Sequence, residues 1–244
     1  DASLQPEEFS LVREGDAVQV FASDKRGFLY GVSWILRKSC IKPGKLEFSE
    51  ELKNIRIVPS YKMRGHQLGY RDKQNTCPAW TEVEYERYIR DLLIFGSNSI
   101  ELLPPRTDDH LYSAHFKRDP FELMIELSKI VHSYGMDVYV WYPYLSLSIE
   151  GEIFEKEMKE REKIFSAVPY IDGLLIPAGD PGDLPPREMF QASKAAAEIL
   201  HRYHPNAKVW LAPQSFSPEE HWYEEFYEEV EKEPDWLYGV CFGP

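Results

Sequence analysis

The rhythm of apolar and polar positions changes near Pro59. Before it, Phe9 to Ala22 reads as two strands around a tight turn at Glu14, Gly15 and Asp16. Ser23 to Gly27 forms a turn able to cap a helix, and Leu29, Val32, Ile35 and Leu36 then recur at helical spacing up to Arg37. Two strands and one helix bury too little apolar surface to stand alone. The pattern predicts the end of a small α/β domain over residues 1–55, with a polar linker from Lys42 to Asn54.

Beyond Pro59, short apolar runs alternate with amphipathic stretches of about 14–18 residues, the pattern of βα units on a parallel sheet. Strands are predicted at Lys62–Leu68, Ser99–Leu103, Asp137–Trp141, Gly173–Pro177, Lys208–Ala212 and Leu237–Phe242. The helices between them carry their own start and stop signals. Thr81 and Glu84 make a capping box and Gly96 closes that helix. Asp119 and Pro120 supply an N-cap and an N1 proline, with Gly135 past the end. Ser217 and Pro218 repeat this start before a helix running to about Lys232.

A run of βα units leaves two architectures open, a doubly wound sheet or a (β/α)8 barrel. A dinucleotide-binding doubly wound sheet opens on a Gly-rich phosphate loop, whereas the first strand here exits into Gly65, His66, Gln67, Leu68, Gly69, Tyr70 and Arg71. The loops after the strands are rich in Asp, Arg, Tyr, Trp and Pro, which suits a barrel whose chemistry gathers at the C-terminal strand ends. Residues 56–244 are therefore predicted to be the first six βα units of a TIM-type (β/α)8 barrel. About two further units would be needed to close it, so the chain is expected to be a fragment lacking both ends.

Composition narrows the function classes. With 244 residues, 43% of them hydrophobic, the chain can bury one sizeable core. A net charge of −13 argues against nucleic acid and against anionic membrane surfaces as partners. No apolar run approaches the ~20 residues of a membrane span. Much of the acidity lies in Glu150 to Glu162 and Glu219 to Glu233, which read as solvated helix faces. Cys40, Cys77 and Cys241 are odd in number and lack metal spacing, so neither a disulfide framework nor a zinc site is expected and the compartment stays open. No cofactor and no oligomeric state are implied.

The strand ends hold the candidate chemistry. The first presents Arg64 and His66, placed on one face by alternation, and then Tyr70. The second places Glu101 inside an apolar strand, where a lone carboxylate is costly unless paired or functional. Asp108, Asp109 and His110 follow in the loop, as a solvated loop or a nonspecific metal set. The third ends in Trp141, Tyr142, Pro143 and Tyr144, a barrel cap or an aromatic platform for the C–H face of a sugar. The fourth runs into Ala178, Gly179, Asp180, Pro181, Gly182 and Asp183. Here glycines allow backbone shapes that a side chain forbids, prolines stiffen the turn, and two carboxylates are held at the mouth. The alternative is an Asx-turn capping its own backbone. Gln214 after the fifth strand is placed to bind a hydroxyl or loop backbone, and Cys241 reads as a small core residue.

The stretch from Val18 to Leu36 resembles the end of the small α/β domain that precedes the barrel in family 20 β-N-acetylhexosaminidases and α-glucuronidases. Pro59 to His66, with Arg64 followed by Gly65, resembles the lead-in to their first barrel strand. The resemblance implies a sugar-binding role for Arg64. Family 20 enzymes carry an adjacent Asp and Glu after the fourth strand. Gly179 and Asp180 match that pattern, but Pro181 stands in the Glu position, so the acid falls to Asp183, to Glu101, or to a different chemistry.

The reading that unites these features is glycoside hydrolysis of an oligo- or polysaccharide by paired carboxylates. Asp180 and Asp183 would carry it with Glu101 in reserve, while Arg64, His66, Tyr70, Asp108, Trp141, Tyr142 and Gln214 hold the sugar. N-acetylhexosamine- or uronic-acid-containing glycans are the substrates that the resemblance implies. Two alternatives stand beside it: a non-catalytic carbohydrate-binding barrel, and a metal-dependent hydrolase or aldolase using His66, Asp108, Asp109 and His110.

Overall fold

The computed structural model describes residues 4–68, 79–105, 116–179, 182–216 and 221–242. Strands β1 (Phe9–Glu14) and β2 (Ala17–Ala22) pair antiparallel across a turn in which Gly15 adopts a φ of 62°. Helix α1 (Lys25–Arg37) starts at Asp24, whose carboxylate accepts the Gly27 N–H at 2.8 Å. The expected polar linker is itself structured. Strands β3 (Ser39–Lys42) and β4 (Lys45–Phe48) form a hairpin around Pro43 and Gly44, a two-residue loop with Gly44 at a φ of 71°. Strand β5 (Ile55–Ile57) then returns to pair with β1, so the small sheet has the order β2-β1-β5 and straddles the division expected after residue 55.

Six parallel strands follow in one sheet: β6 (Gly65–Leu68), β7 (Ser99–Leu102), β8 (Asp137–Trp141), β9 (Gly173–Pro177), β10 (Lys208–Ala212) and β11 (Leu237–Val240). Their spatial order follows their sequence order without reversal. Right-handed crossovers between successive neighbours put every connecting helix on one face. This sheet is singly wound, which excludes the doubly wound alternative for the described strands.

The helices are α2 (Glu82–Ile94), α3 (Pro120–Ser133), α4 (Glu152–Ala167), α5 (Pro186–Tyr203) and α6 (Trp222–Val230). The boundary signals act as read. The Glu84 carboxylate accepts the Thr81 N–H at 2.6 Å, Asp119 accepts from Phe121 and Glu122, and Gly96 and Gly135 take positive φ past the helix ends. Helix α6 begins at Trp222, and residues 217–220 lie outside the described residues. None of the described helices is long and apolar enough to cross a membrane.

Alternation sorts each strand into two sets. Ile100, Leu102, Val138, Val140, Leu174, Ile176, Val209 and Leu211 are at most 1% exposed and meet the helix layer, including Ile89, Leu127, Phe165 and Leu200. Each such side chain contributes about 1.5–3 kcal/mol on burial. The other set looks away from the helices and carries the candidate site.

The small unit is tied to the N-terminal ends of the large sheet. Arg26 donates to the Gly135 carbonyl at 2.6 Å and to Asp137 at 2.5 Å, and also reaches Glu7 at 3.1 Å. Glu7 in turn receives Arg64 at 2.6 Å and Asn98 at 3.1 Å.

Candidate active site

The face turned away from the helices carries Gln67, Ser99, Glu101, Tyr139, Trp141, Leu175, Trp210 and Tyr238. Parallel register brings Gln67, Glu101 and Tyr139 side by side. Gln67 donates to Glu101 at 2.5 Å, and with Met63, Gly65, His66, Ser99, Tyr139 and Leu175 these residues line a cavity of about 230 Å3. Burial pushes the Glu101 carboxyl above the ordinary carboxylate range, and the Gln67 hydrogen bond pulls back against it. Burial also lifts the Tyr139 hydroxyl to about 12, so that it stays a neutral donor. Farther along the sheet, Trp210 and Tyr238 stand edge to face at 5.0 Å. Cys241 closes this side; burial and the Glu101 charge raise its thiol, which makes it a poor nucleophile.

Glu101 sets a pH dependence. Below the ordinary carboxylate range, folded and unfolded chains both hold the proton and the full stability is present. Between the unfolded value and the raised folded value, the unfolded chain releases its proton first, so stability falls as pH rises. Urea midpoints between about pH 4 and pH 8 should decline less in Glu101→Gln than in the wild type. Parallel curves for the two proteins would mean that Glu101 titrates normally.

The turn after β9 is shaped by close approach. At Gly182 an added Cβ would lie 2.2 Å from the Tyr144 carbonyl oxygen, and at Gly179 it would lie 2.6 Å from that of Gln214. Neither glycine takes a positive φ. The expectation of special dihedrals is thus replaced by one of crowding, in which the turn is pressed between the loops that follow β8 and β10. The Gly179 N–H donates to the Gln214 carbonyl at 2.9 Å, as does the Ala178 N–H to that of Ala212. Because the obstacle at Gly182 is backbone, Gly182→Ala should cost about 1–3 kcal/mol of stability, read as a lowered urea midpoint.

The expected site residues divide sharply. Asp183 directly follows Gly182 and is exposed at the strand-end side. Glu101 and Trp141 belong to the open face, and Gln214 joins the β9 turn through its main chain. Asp180, Tyr70 and Asp108 lie outside the described residues, as do Asp109 and His110.

Three of the expected residues have protein partners. Arg64 precedes β6, and its guanidinium binds the Gly96 carbonyl, the Tyr61 carbonyl and Glu7 at the N-terminal end of the sheet. It does not face the β9 turn. His66 borders the cavity beside Gln67, while its ring stands edge-on to Tyr88 of α2, with Nε2 3.1 Å from the Tyr88 hydroxyl. Tyr142 is buried in the helix layer, with the Arg161 guanidinium 4.2 Å over its ring and Phe165 at its edge. Each of these side chains has a protein partner of its own.

The same open face carries Gln67, Tyr139, Trp210 and Tyr238, which the sequence reading does not single out. The signal was available, since the alternation that singles out Glu101 also selects Tyr139, Trp141 and Trp210 on the neighbouring strands. Among the described residues no group of three or more His, Cys, Asp or Glu side chains could hold a metal ion.

The sequence matches no protein-family model and no curated protein. Solved structures do share its fold. A family 20 β-N-acetylglucosaminidase superposes with a TM-score of 0.63 over 98% of the chain at 12% identity. The protein CpGH84B does so with a TM-score of 0.61 over 93% at 18% identity. CpGH89 of Clostridium perfringens, solved with its substrate GlcNAc-α-1,4-galactose, does so with a TM-score of 0.57 over 90% at 13% identity. The chain spans 64%, 41% and 34% of these three proteins. It has the fold of hexosaminidase-type glycoside hydrolases, in agreement with the resemblance carried by Val18 to Leu36 and by Arg64, Gly65 and His66.

Proposed function

We propose that this chain contributes the carboxylate-bearing side of a (β/α)8 glycoside hydrolase that cleaves N-acetylhexosaminides. The singly wound sheet, with helices on one face and polar and aromatic side chains on the other, supports a barrel of which these are the first six units. The observation that carries the chemistry is Glu101: a carboxyl held by Gln67 in a cavity beside Tyr139, with its pKa raised by burial. A purely sugar-binding surface has no use for a tuned carboxyl, so catalysis is favoured over the non-catalytic alternative. Asp180 and Asp183 take the roles of base, nucleophile or substrate orienter, with Asp183 or Glu101 as the acid. Trp141 and Trp210 offer ring faces to the sugar. The structural relatives that act on or bind N-acetylglucosamine compounds support that sugar over a uronic acid.

The test is aryl release by the complete protein from α- and β-linked aryl N-acetylglucosaminides, with an aryl glucuronide as comparison. Turnover of an N-acetylglucosaminide is expected. A folded protein that binds N-acetylglucosamine by calorimetry but releases no aryl group from any of the three would be a binding module.

A further inference from the structure

The segment from 142 to 151, between β8 and α4, has no regular structure, yet side chains of two helices hold six of its residues. Arg161 of α4 donates to the Pro143 carbonyl at 2.6 Å, and its guanidinium is sandwiched 4.2 Å from each of the Tyr142 and Tyr144 rings. Glu157, one turn earlier on α4, accepts the Leu145 N–H at 2.6 Å and the Ser146 hydroxyl at 2.8 Å. Glu188 in the first turn of α5 accepts the Ile149 N–H at 3.0 Å. Glu157 and Arg161 are only 2% and 1% exposed. Burying two such groups is a poor way to gain stability, since apolar side chains of similar volume serve as well or better. What the pair does provide is a loop of one defined shape. The Tyr144 carbonyl of that loop is the surface on which Gly182 rests, one residue before Asp183.

We propose that Arg161 and Glu157 are positioning residues: through the loop from Pro143 to Ser146 they set the place of the Gly182–Asp183 turn. This rests on the reading that the turn after β9 carries the catalytic carboxylates. Neither residue touches the substrate. Their effect is on the chemical step, because a displacement of order 1 Å in a reacting group costs up to ~100-fold in rate.

The experiment uses the complete protein and the variants Arg161→Met, Arg161→Lys and Glu157→Gln, the last serving if Arg161→Met does not fold. Hydrogen–deuterium exchange is followed in peptides containing Gly182, Asp183 and Leu184, and in the α5 core around Ala196 and Leu200. Exchange at the turn should accelerate about 10-fold or more while the α5 core is unchanged, with Arg161→Lys intermediate. On an aryl N-acetylglucosaminide, kcat should fall about 10- to 100-fold and KM should stay within about two-fold. An active wild type whose turn and kcat ignore these substitutions overturns the positioning role alone, as does a loss of kcat matched by equal acceleration across α5. A wild type with no glycosidase activity overturns the catalytic reading and the positioning role with it.

Discussion

Asp180→Asn and Asp183→Asn are expected to reduce kcat/KM on an aryl N-acetylglucosaminide by about 10²- to 10⁴-fold, the usual contribution of a general acid or base. Asn keeps the shape of Asp and can still hydrogen-bond, but it neither takes nor gives a proton. The loss should therefore lie in kcat more than in KM. Folding should be little affected at Asp183, because the side chain is exposed and surface substitutions stay within about 0.5 kcal/mol. Adding Glu101→Gln assigns the acid. If Glu101 is the proton donor, this variant loses activity on poor leaving groups and keeps it on activated aryl groups that need no protonation. Full activity in both Asp variants would remove the β9 turn from the mechanism.

Arg161→Ala is expected to cost about 3–5 kcal/mol of stability, comparable to truncating a large buried aromatic side chain. Three losses coincide. The Pro143 carbonyl loses its charged donor, the Tyr142 and Tyr144 rings lose the cation between them, and a cavity opens under the loop. Lys159→Ala, on the exposed side of the same helix, should change stability by less than about 0.5 kcal/mol. Urea melts of the two variants would check the contrast, and similar midpoints would mean that the Arg161 pocket collapses without penalty.

The same helix marks the limit of what could be read from residue order. Glu150 to Glu162 has the composition of a solvated face, and most of it is one. Yet Glu157 and Arg161, four apart, fall on the inward stripe and are buried. Composition cannot distinguish a charged residue that faces water from one that faces a loop returning from a strand. Arg64 and Tyr142 show a related limit. A polar or aromatic group near a strand end looks like a ligand contact until its partners are known, and those partners, Glu7 and Gly96 for one and Arg161 and Phe165 for the other, come from distant parts of the chain. The β3–β4 hairpin was passed over because Lys42 to Asn54 lacks an apolar pattern strong enough to announce strands.

What the sequence determined by itself was the succession of elements. Three of the six parallel strands have the bounds expected of them, and the caps at Thr81 with Glu84 and at Asp119 with Pro120 act where they were read. These signals are local: a cap needs a side chain within three residues of its target, and a buried strand needs only its own run of branched and aromatic residues. The tertiary structure decided which face of each strand meets the helices and which stays open. It thereby made Gln67, Glu101 and Tyr139 neighbours, tied Arg64 to Glu7 at the other end of the sheet, and gave Gly182 its reason in the carbonyl of Tyr144. Such pairings depend on strand register and loop return, and those are settled by packing between segments that residue order leaves far apart.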